Sequence, residues 1–326
     1  MSKQKRIFII AGESSGDLHA AQYIKEHSNV NSNIVFDAFG QNEIKKTVAN
    51  IIYDTEKISV VGIVEVISKY REILKALNIA KEYITSKKPD LVILVDYIEF
   101  NLKIAKFAKN LGIPVLFYIA PQVWAWREKR AKRFAETVDQ LAVIFPFEEH
   151  YFKQYTNNVT YVGHPLSQKP ELMNTQKAYD DRMIDLGIFP GSRESEIKNN
   201  LYLMVDCIQK NKKEQIKIFY ANETSENIIK KLLPSEYHGL LASGKDISQI
   251  SDCKKALCAS GTVTLQLSIL EVPMIIMYRL SYFSYLIMKN LINIKYIGLV
   301  NLVLGQQYRL FTNRCKLKDS IVLSYY

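Results

Sequence analysis

The stretch PDLVILVDYIEFN, residues 89–101, decides the fold class of this 326-residue chain. Leu91–Val95 is an unbroken apolar run with the length of a strand that is buried on both faces. Asn101 is expected to cap the helix that follows, and Gly112 is expected to end it. Asp96 follows the carboxyl end of the strand, where open α/β sheets bind their ligands. The pattern therefore predicts a parallel sheet with Asp96 at its ligand-binding edge, although this carboxylate could instead cap the helix.

Strand and helix patterns alternate on both sides of this stretch. The predicted strands are residues 6–11, 34–39, 91–95, 115–119, 141–145, 159–162, 186–189, 216–220, 256–259 and 273–277. Such alternation imposes right-handed crossovers and a mostly parallel sheet. The polar segment 168–181 interrupts it and is interpreted as the connection between two halves. We therefore expect an α/β protein with two Rossmann-like, doubly wound domains facing a cleft, residues 1–167 and 168–326.

Composition and charge limit the classes of function. Hydrophobic residues make up 48% of the chain and charged residues 23%, as in soluble globular proteins. The formal net charge of +10 favours anionic partners such as nucleotide phosphates or an acidic lipid surface. Because the basic residues are scattered and form no stripe, nucleic acid is not expected as a partner. The four cysteines show no metal-binding spacing, and neither a signal peptide nor a membrane-spanning run is present, so a cytoplasmic protein is expected.

The first glycine turn, GESSGD at residues 12–17, lies between a predicted strand and a predicted helix. Gly12 and Gly16 allow a ligand to approach the backbone, and the helix N-terminus presents free N–H groups. The turn lacks the GxGxxG spacing of a dinucleotide site. Because Glu13 and Asp17 would repel a phosphate, the turn suits the hydroxyl groups of a sugar acceptor. The alternative is a tight turn that is needed only for packing.

Two later turns favour an anion. In the PGSR turn at residues 190–193, backbone N–H groups and the Ser192 hydroxyl can donate, and Arg193 adds a forked cation. The SGT turn at residues 260–262 repeats the arrangement after a neighbouring predicted strand. Together the two turns could hold a diphosphate without a metal ion. Each by itself could equally be a turn that opens a helix.

Three further features allow either a functional or a structural interpretation. Trp124 and Trp126 follow a predicted strand and could line an apolar site beside a basic rim, or simply pack. His164 lies just before the predicted connection, where a local hydrogen-bonding role competes with a role in the cleft. The apolar, aromatic and basic segment 278–305 could lie in a bilayer interface or form a core-facing helix.

Taken together, these motifs resemble those of the lipid-A-disaccharide synthases. They occur in the order of that family as GESSGD at 12–17, VVGIVEV at 60–66, VDYIEFN at 95–101, PQVWAWR at 121–127, FPFE at 145–148, GHPL at 163–166, PGSR at 190–193, SGT at 260–262 and YR at 278–279. The resemblance implies an inverting glycosyltransferase of the GT-B type in lipid A biosynthesis. It would join UDP-2,3-diacylglucosamine to 2,3-diacylglucosamine 1-phosphate (lipid X), forming a β-1,6-linked disaccharide and releasing UDP.

The resemblance also implies roles for individual residues. Asp96 would be the general base on the acceptor 6-hydroxyl. The donor-binding residues would be Gly191, Ser192, Arg193, Ser260, Gly261, Thr262, Gln266 and Arg279. The acceptor-binding residues would be Gly12, Glu13, Ser14, Gly16, Asp17, Trp124, Trp126 and His164. No cofactor and no metal ion is expected, and the protein would be peripheral at the inner-membrane surface, with a homodimer among its open oligomeric states.

The sequence departs from the family pattern at two places that bear on activity. Gln266 stands where the family usually has a glutamate that accepts from the UDP ribose hydroxyls. From about Gln306 the chain diverges from the family ending, so a truncated or atypical end of the second domain is expected. These departures leave open a degenerate, non-catalytic member that binds UDP or an acylated sugar. A UDP-sugar enzyme with a different acceptor is a further alternative.

Overall fold

The computed structural model describes residues 4–31, 33–58, 69–120, 128–210, 214–279, 310–312 and 321–325. The chain divides into two compact units, Met1–Gly163 and His164–Tyr326. The division falls close to the boundary that the sequence predicts after residue 167. None of the helices within the described ranges is both long enough and apolar enough to cross a membrane.

The first unit is built on a parallel sheet with the strand order β3-β2-β1-β4-β5-β6-β7. Its strands are β1 (Lys5–Ala11), β2 (Ile34–Gly40), β3 (Asn50–Asp54), β4 (Leu91–Val95), β5 (Val115–Tyr118), β6 (Gln140–Val143) and β7 (Val159–Tyr161). Its helices are α1 (Ser14–Val30), α2 (Tyr70–Lys87), α3 (Ile98–Asn110), α4 (Glu128–Thr137) and α5 (Pro146–Phe152). The order reverses between β1 and β4, which makes their carboxyl ends the switch point where doubly wound sheets bind ligands.

The central strands are apolar throughout because helices cover both faces of the sheet. In β4, Val92 and Leu94 belong to a core that α2, α3 and α4 complete. Ile93 and Val95 point to the opposite face and pack in a second core with Ile24 of α1. This two-sided burial explains the unbroken run from which the fold class was predicted.

The second unit repeats the plan with the strand order β10-β9-β8-β11-β12-β14-β13. Its strands are β8 (Leu186–Phe189), β9 (Ile216–Tyr220), β10 (Leu241–Ser243), β11 (Ala256–Ala259), β12 (Met274–Arg279), β13 (Leu310–Thr312) and β14 (Ile321–Tyr325). Its helices are α6 (Pro170–Asn174), α7 (Glu194–Lys210), α8 (Glu223–Leu232), α9 (Ile247–Ser251) and α10 (Thr262–Ile269). The five strands from β8 to β12 are mutually parallel, and the switch point lies between β8 and β11.

Two expectations about segments are corrected. The interpretation of 168–181 as a connection is wrong for its first part, because the segment contains α6 and buries Leu172 in a core of the second unit. The end of the second unit adds β13 and β14, which pair antiparallel to each other, and β14 pairs antiparallel to β12. The alternation of strands and helices did not predict these two strands.

Candidate active site

The carboxyl edge of the first sheet has an unusual backbone. Asp96 and Tyr97, directly after β4, have φ of +49° and +44°. Ile119, directly after the neighbouring β5, has φ of +65°. Left-handed backbone is unfavourable for residues other than glycine and persists only where surrounding contacts impose it. Such residues cluster at functional sites, so this edge of the sheet is a candidate for one.

Asn101 supplies one of the contacts that hold this backbone. Helix α3 begins at Ile98, so Asn101 lies inside the helix and the prediction that it caps the helix is wrong. Its side-chain amide Nδ2 donates to the carbonyl of Val95 at 3.1 Å and to that of Asp96 at 2.8 Å. Asn101 is completely buried, and its Oδ1 has no hydrogen-bond partner among the described residues. The side chain therefore clamps the end of β4.

The carboxyl group of Asp96 lies against the first glycine turn. Ser15 Oγ donates to Asp96 Oδ2 over 3.3 Å, and a Cβ atom on Gly16 would come within 3.0 Å of the same oxygen. Burial raises the pKa of Asp96 to about 6, the nearby Glu13 carboxylate raises it further, and the Ser15 hydrogen bond opposes both effects. A carboxylate with a pKa near the working pH is suited to accept a proton from a hydroxyl group.

The glycine turn combines packing with a surface that remains open. A Cβ atom on Gly12 would lie 2.6 Å from Cβ of Tyr97, so glycine is required here by packing. The Tyr97 hydroxyl donates to the carbonyl of Ile58 over 3.1 Å, which fixes the ring above the turn. Glu13 is exposed, and of Ser14 only the backbone is described, at the start of α1.

Asp17 has a different role from the one predicted for it. Its side chain is buried, Oδ1 accepts from the backbone N–H of Gln41 at 2.6 Å, and Oδ2 accepts from that of Glu43 at 2.7 Å. The carboxylate thus holds the loop that follows β2. In this geometry it is committed to the protein backbone and is not presented to an acceptor sugar.

His164 opens the second unit and hydrogen-bonds locally. Its Nδ1 accepts from the backbone N–H of Leu166 at 3.1 Å, and burial lowers its pKa. A neutral ring with the proton on Nε2 fits both observations. The structure thus favours the local role that the sequence left as an alternative.

The second unit encloses a cavity of about 330 Å³ at its switch point. Both predicted anion turns contribute to it, since its lining includes Gly191, Ser192, Ser260, Gly261, Thr262 and Gln266. The turns meet here because β8 and β11 are neighbouring parallel strands. A cavity of this size lies at the lower end of the range for small-molecule sites.

A residue that the sequence analysis missed occupies the first of these turns. Glu196 lines the cavity, and its Oε2 accepts from the backbone N–H groups of Ser192 at 3.2 Å and Arg193 at 3.4 Å. Its Oε1 accepts from Arg193 Nη1 at 2.9 Å. A glutamate in the first turn of a helix often bonds back to the preceding backbone, and this spacing was the signal that could have identified it. The predicted oxyanion site is therefore filled by an internal carboxylate.

Some predicted site residues lie outside what can be compared with the geometry. Trp124 and Trp126 fall in residues 121–127, outside the described part of the chain. The interfacial segment falls almost entirely in residues 280–309, also outside it, and Arg279 is described only as backbone of β12. Within the described ranges, no group of three or more histidine, cysteine, aspartate or glutamate residues is placed to hold a metal ion.

Solved structures with similar folds identify the class of protein. UDP-N-acetylglucosamine 2-epimerase from Rickettsia bellii matches with a TM-score of 0.55 and 14% identity, over 83% of this chain and 78% of that one. The glycotransferase of kitacinnamycin matches with a TM-score of 0.55 and 13% identity, over 82% of this chain and 79% of that one. The two doubly wound domains thus have the GT-B fold, the architecture that glycosyltransferases and UDP-sugar epimerases share.

The sequence comparisons are more specific. The family model for lipid-A-disaccharide synthetase (LpxB) matches residues 7–316. The lipid-A-disaccharide synthase of Geobacter metallireducens is 35% identical over 93% of this chain and 82% of its own length. That of Syntrophus aciditrophicus is 36% identical over the same shares. The chain therefore belongs to the lipid-A-disaccharide synthetase family, and the match continues beyond Gly305, where the motif resemblance ends.

Proposed function

We propose that this chain is a lipid-A-disaccharide synthase that joins UDP-2,3-diacylglucosamine to lipid X and releases UDP. Membership of the family across residues 7–316 supports the reaction. The observation that carries the proposal is the Asp96 carboxyl group, held at the switch point with a pKa of about 6. The comparisons give no support to a non-catalytic copy.

The proposed chemistry uses Asp96 as general base. The ionised carboxylate accepts the proton of the acceptor 6-hydroxyl while the hydroxyl oxygen bonds to the anomeric carbon of the donor sugar. The bond from that carbon to the UDP oxygen breaks on the opposite face, and its electron pair leaves with UDP. The sugar is therefore transferred with inversion, which gives the β-1,6 linkage.

We place the UDP part of the donor in the cavity of the second unit. The SGT turn precedes α10 and the PGSR turn precedes α7, so two helix N-termini can stabilise the charge that develops on the leaving diphosphate. Gln266 lines the same cavity one turn into α10, where its amide oxygen could accept from the ribose hydroxyls. The acceptor-binding residues of this proposal are Gly12, Glu13, Ser14, Gly16, Trp124, Trp126 and His164, and Arg279 is retained on the donor side.

We further propose that the reaction needs no metal ion, because backbone N–H groups and Arg193 can supply the positive potential for the diphosphate. Activity after treatment with a chelator should equal activity with added Mg²⁺. A loss of turnover that Mg²⁺ restores would contradict this part of the proposal.

The acylated substrates place the enzyme at a membrane surface, and we propose peripheral attachment at the inner membrane. The exposed Lys103 and Lys106 of α3 and Lys132 and Arg133 of α4 support it, because these helices pack side by side and their cations favour anionic headgroups. Binding to vesicles of phosphatidylglycerol that falls with salt, and no binding to phosphatidylcholine, is expected. A homodimer is also proposed, and light scattering separates it from the 37.6 kDa monomer.

The deciding experiment measures UDP release with both acylated sugars. The native chain should turn over, and Asp96→Asn, which keeps the shape of the side chain, should lower kcat by about 10²-fold or more. Binding of UDP by the native chain without turnover would instead identify a degenerate copy. Turnover with an unacylated acceptor but not with lipid X would indicate a different acceptor.

A further inference from the structure

We propose that Glu196 is an internal anion that competes with the donor diphosphate for the PGSR turn and so sets the affinity for UDP. The inference rests on the proposed donor site in the second unit. It assigns to a residue on the first turn of α7 a part in nucleotide affinity that neither the sequence motifs nor the fold assigns.

The contacts show that Glu196 takes the groups an oxyanion would need. Its two oxygens accept from the backbone N–H groups of Ser192 and Arg193 and from the Arg193 guanidinium. These are the donors from which a diphosphate site was predicted at this turn. The carboxylate also lines the cavity, so it lies beside the volume in which the diphosphate is placed.

The backbone of the turn is shaped around this carboxylate. Gly191 has φ of +118°, a conformation that L side chains rarely adopt. A Cβ atom at Gly191 would lie 2.8 Å from Cβ and 2.9 Å from Oε2 of Glu196. Both the conformation and the missing side chain let Glu196 fold back onto the turn.

Competition follows from the number of donors and from charge. A backbone N–H group that serves one anion cannot also serve a second at full strength, and like charges at this separation repel. Donor binding therefore has to draw Arg193 away from Glu196. The pair is easily separated, because 64% of the Arg193 side chain and 29% of the Glu196 side chain are exposed, and exposed pairs contribute little.

Two other roles for Glu196 make different predictions. If it only caps α7, its charge should not affect UDP more than an uncharged nucleoside. If it instead orients Arg193 towards the diphosphate, removing its charge should weaken UDP. Competition alone predicts that removing the charge tightens UDP selectively.

The test is calorimetric titration of the native protein and Glu196→Gln with UDP and with uridine. Glutamine keeps the size of the side chain and an amide oxygen that can still accept from the turn. We expect UDP to bind about two- to tenfold more tightly to the variant, with uridine changed less than twofold. Glu194→Gln is the matched control, because Glu194 carries the same charge in the same turn but pairs with Lys198 at 2.6 Å. It should leave both affinities unchanged.

A double-mutant cycle with Arg193→Ala locates the competition. In the Arg193→Ala background the gain from Glu196→Gln should shrink, because the cation that the two anions share is gone. Unchanged or weaker UDP binding by Glu196→Gln, with an unchanged melting temperature, would overturn the inference. Absence of UDP binding by the native chain would instead overturn the proposed donor site.

Discussion

Replacement of Asn101 by alanine should detach the proposed base from its position. The two hydrogen bonds from Nδ2 to the Val95 and Asp96 carbonyls together contribute about 1–3 kcal/mol. The left-handed backbone of Asp96 and Tyr97 costs about 1–3 kcal/mol for each residue. Because clamp and strain are of similar size, loss of the clamp should let the backbone relax. Asp96 would then move towards solvent.

The assay is the pH dependence of kcat for UDP release. In the native chain kcat should fall below pH of about 6, since the base must be ionised and burial raises its pKa to about 6. In Asn101→Ala we expect kcat to fall about tenfold or more and the acid limb to move to lower pH, because a solvated Asp96 regains an ordinary pKa. The loss of the unpartnered Oδ1 should limit the loss of stability.

Asn200 offers a matched control in the second unit. It is also buried, its Nδ2 donates to the Pro190 carbonyl at 3.3 Å, and its Oδ1 likewise has no partner among the described residues. Asn200→Ala should lower the melting temperature to a similar extent and leave the acid limb where it is. An acid limb that stays in place in Asn101→Ala as well, with kcat unchanged, would refute the clamp.

Three further outcomes test the same geometry. Glu13→Gln should move the acid limb of kcat to lower pH, because the Glu13 charge raises the pKa of Asp96; an unmoved limb would separate the two carboxylates. Gln266→Glu should lower the Kd for UDP several-fold if the side chain faces the ribose, and an unchanged Kd would place it elsewhere. Gly12→Ala should lower the stability by about 1–3 kcal/mol in thermal unfolding, because the new methyl group meets Tyr97. An unaltered melting curve would mean that the Tyr97 ring can move aside.

The predicted fold and the predicted turns rested on local pattern. A strand buried on both faces must be apolar at every position, so Leu91–Val95 and Leu186–Phe189 were visible in the sequence. Glycine and serine between a strand and a helix identified the two turns that line the cavity of the second unit. Family motifs then added the role of Asp96, which no local pattern specifies.

The sequence by itself determined the α/β alternation, the position of Asp96 after β4 and the two anion turns, because each depends on residues close together along the chain. Only the tertiary structure decided what the polar side chains contact. Asp17 is drawn to the loop after β2, Asn101 turns back to the end of β4, and Glu196 folds onto the PGSR turn. A buried or half-buried polar group bonds to whichever donors and acceptors the fold brings within reach, and a motif alone does not contain that information.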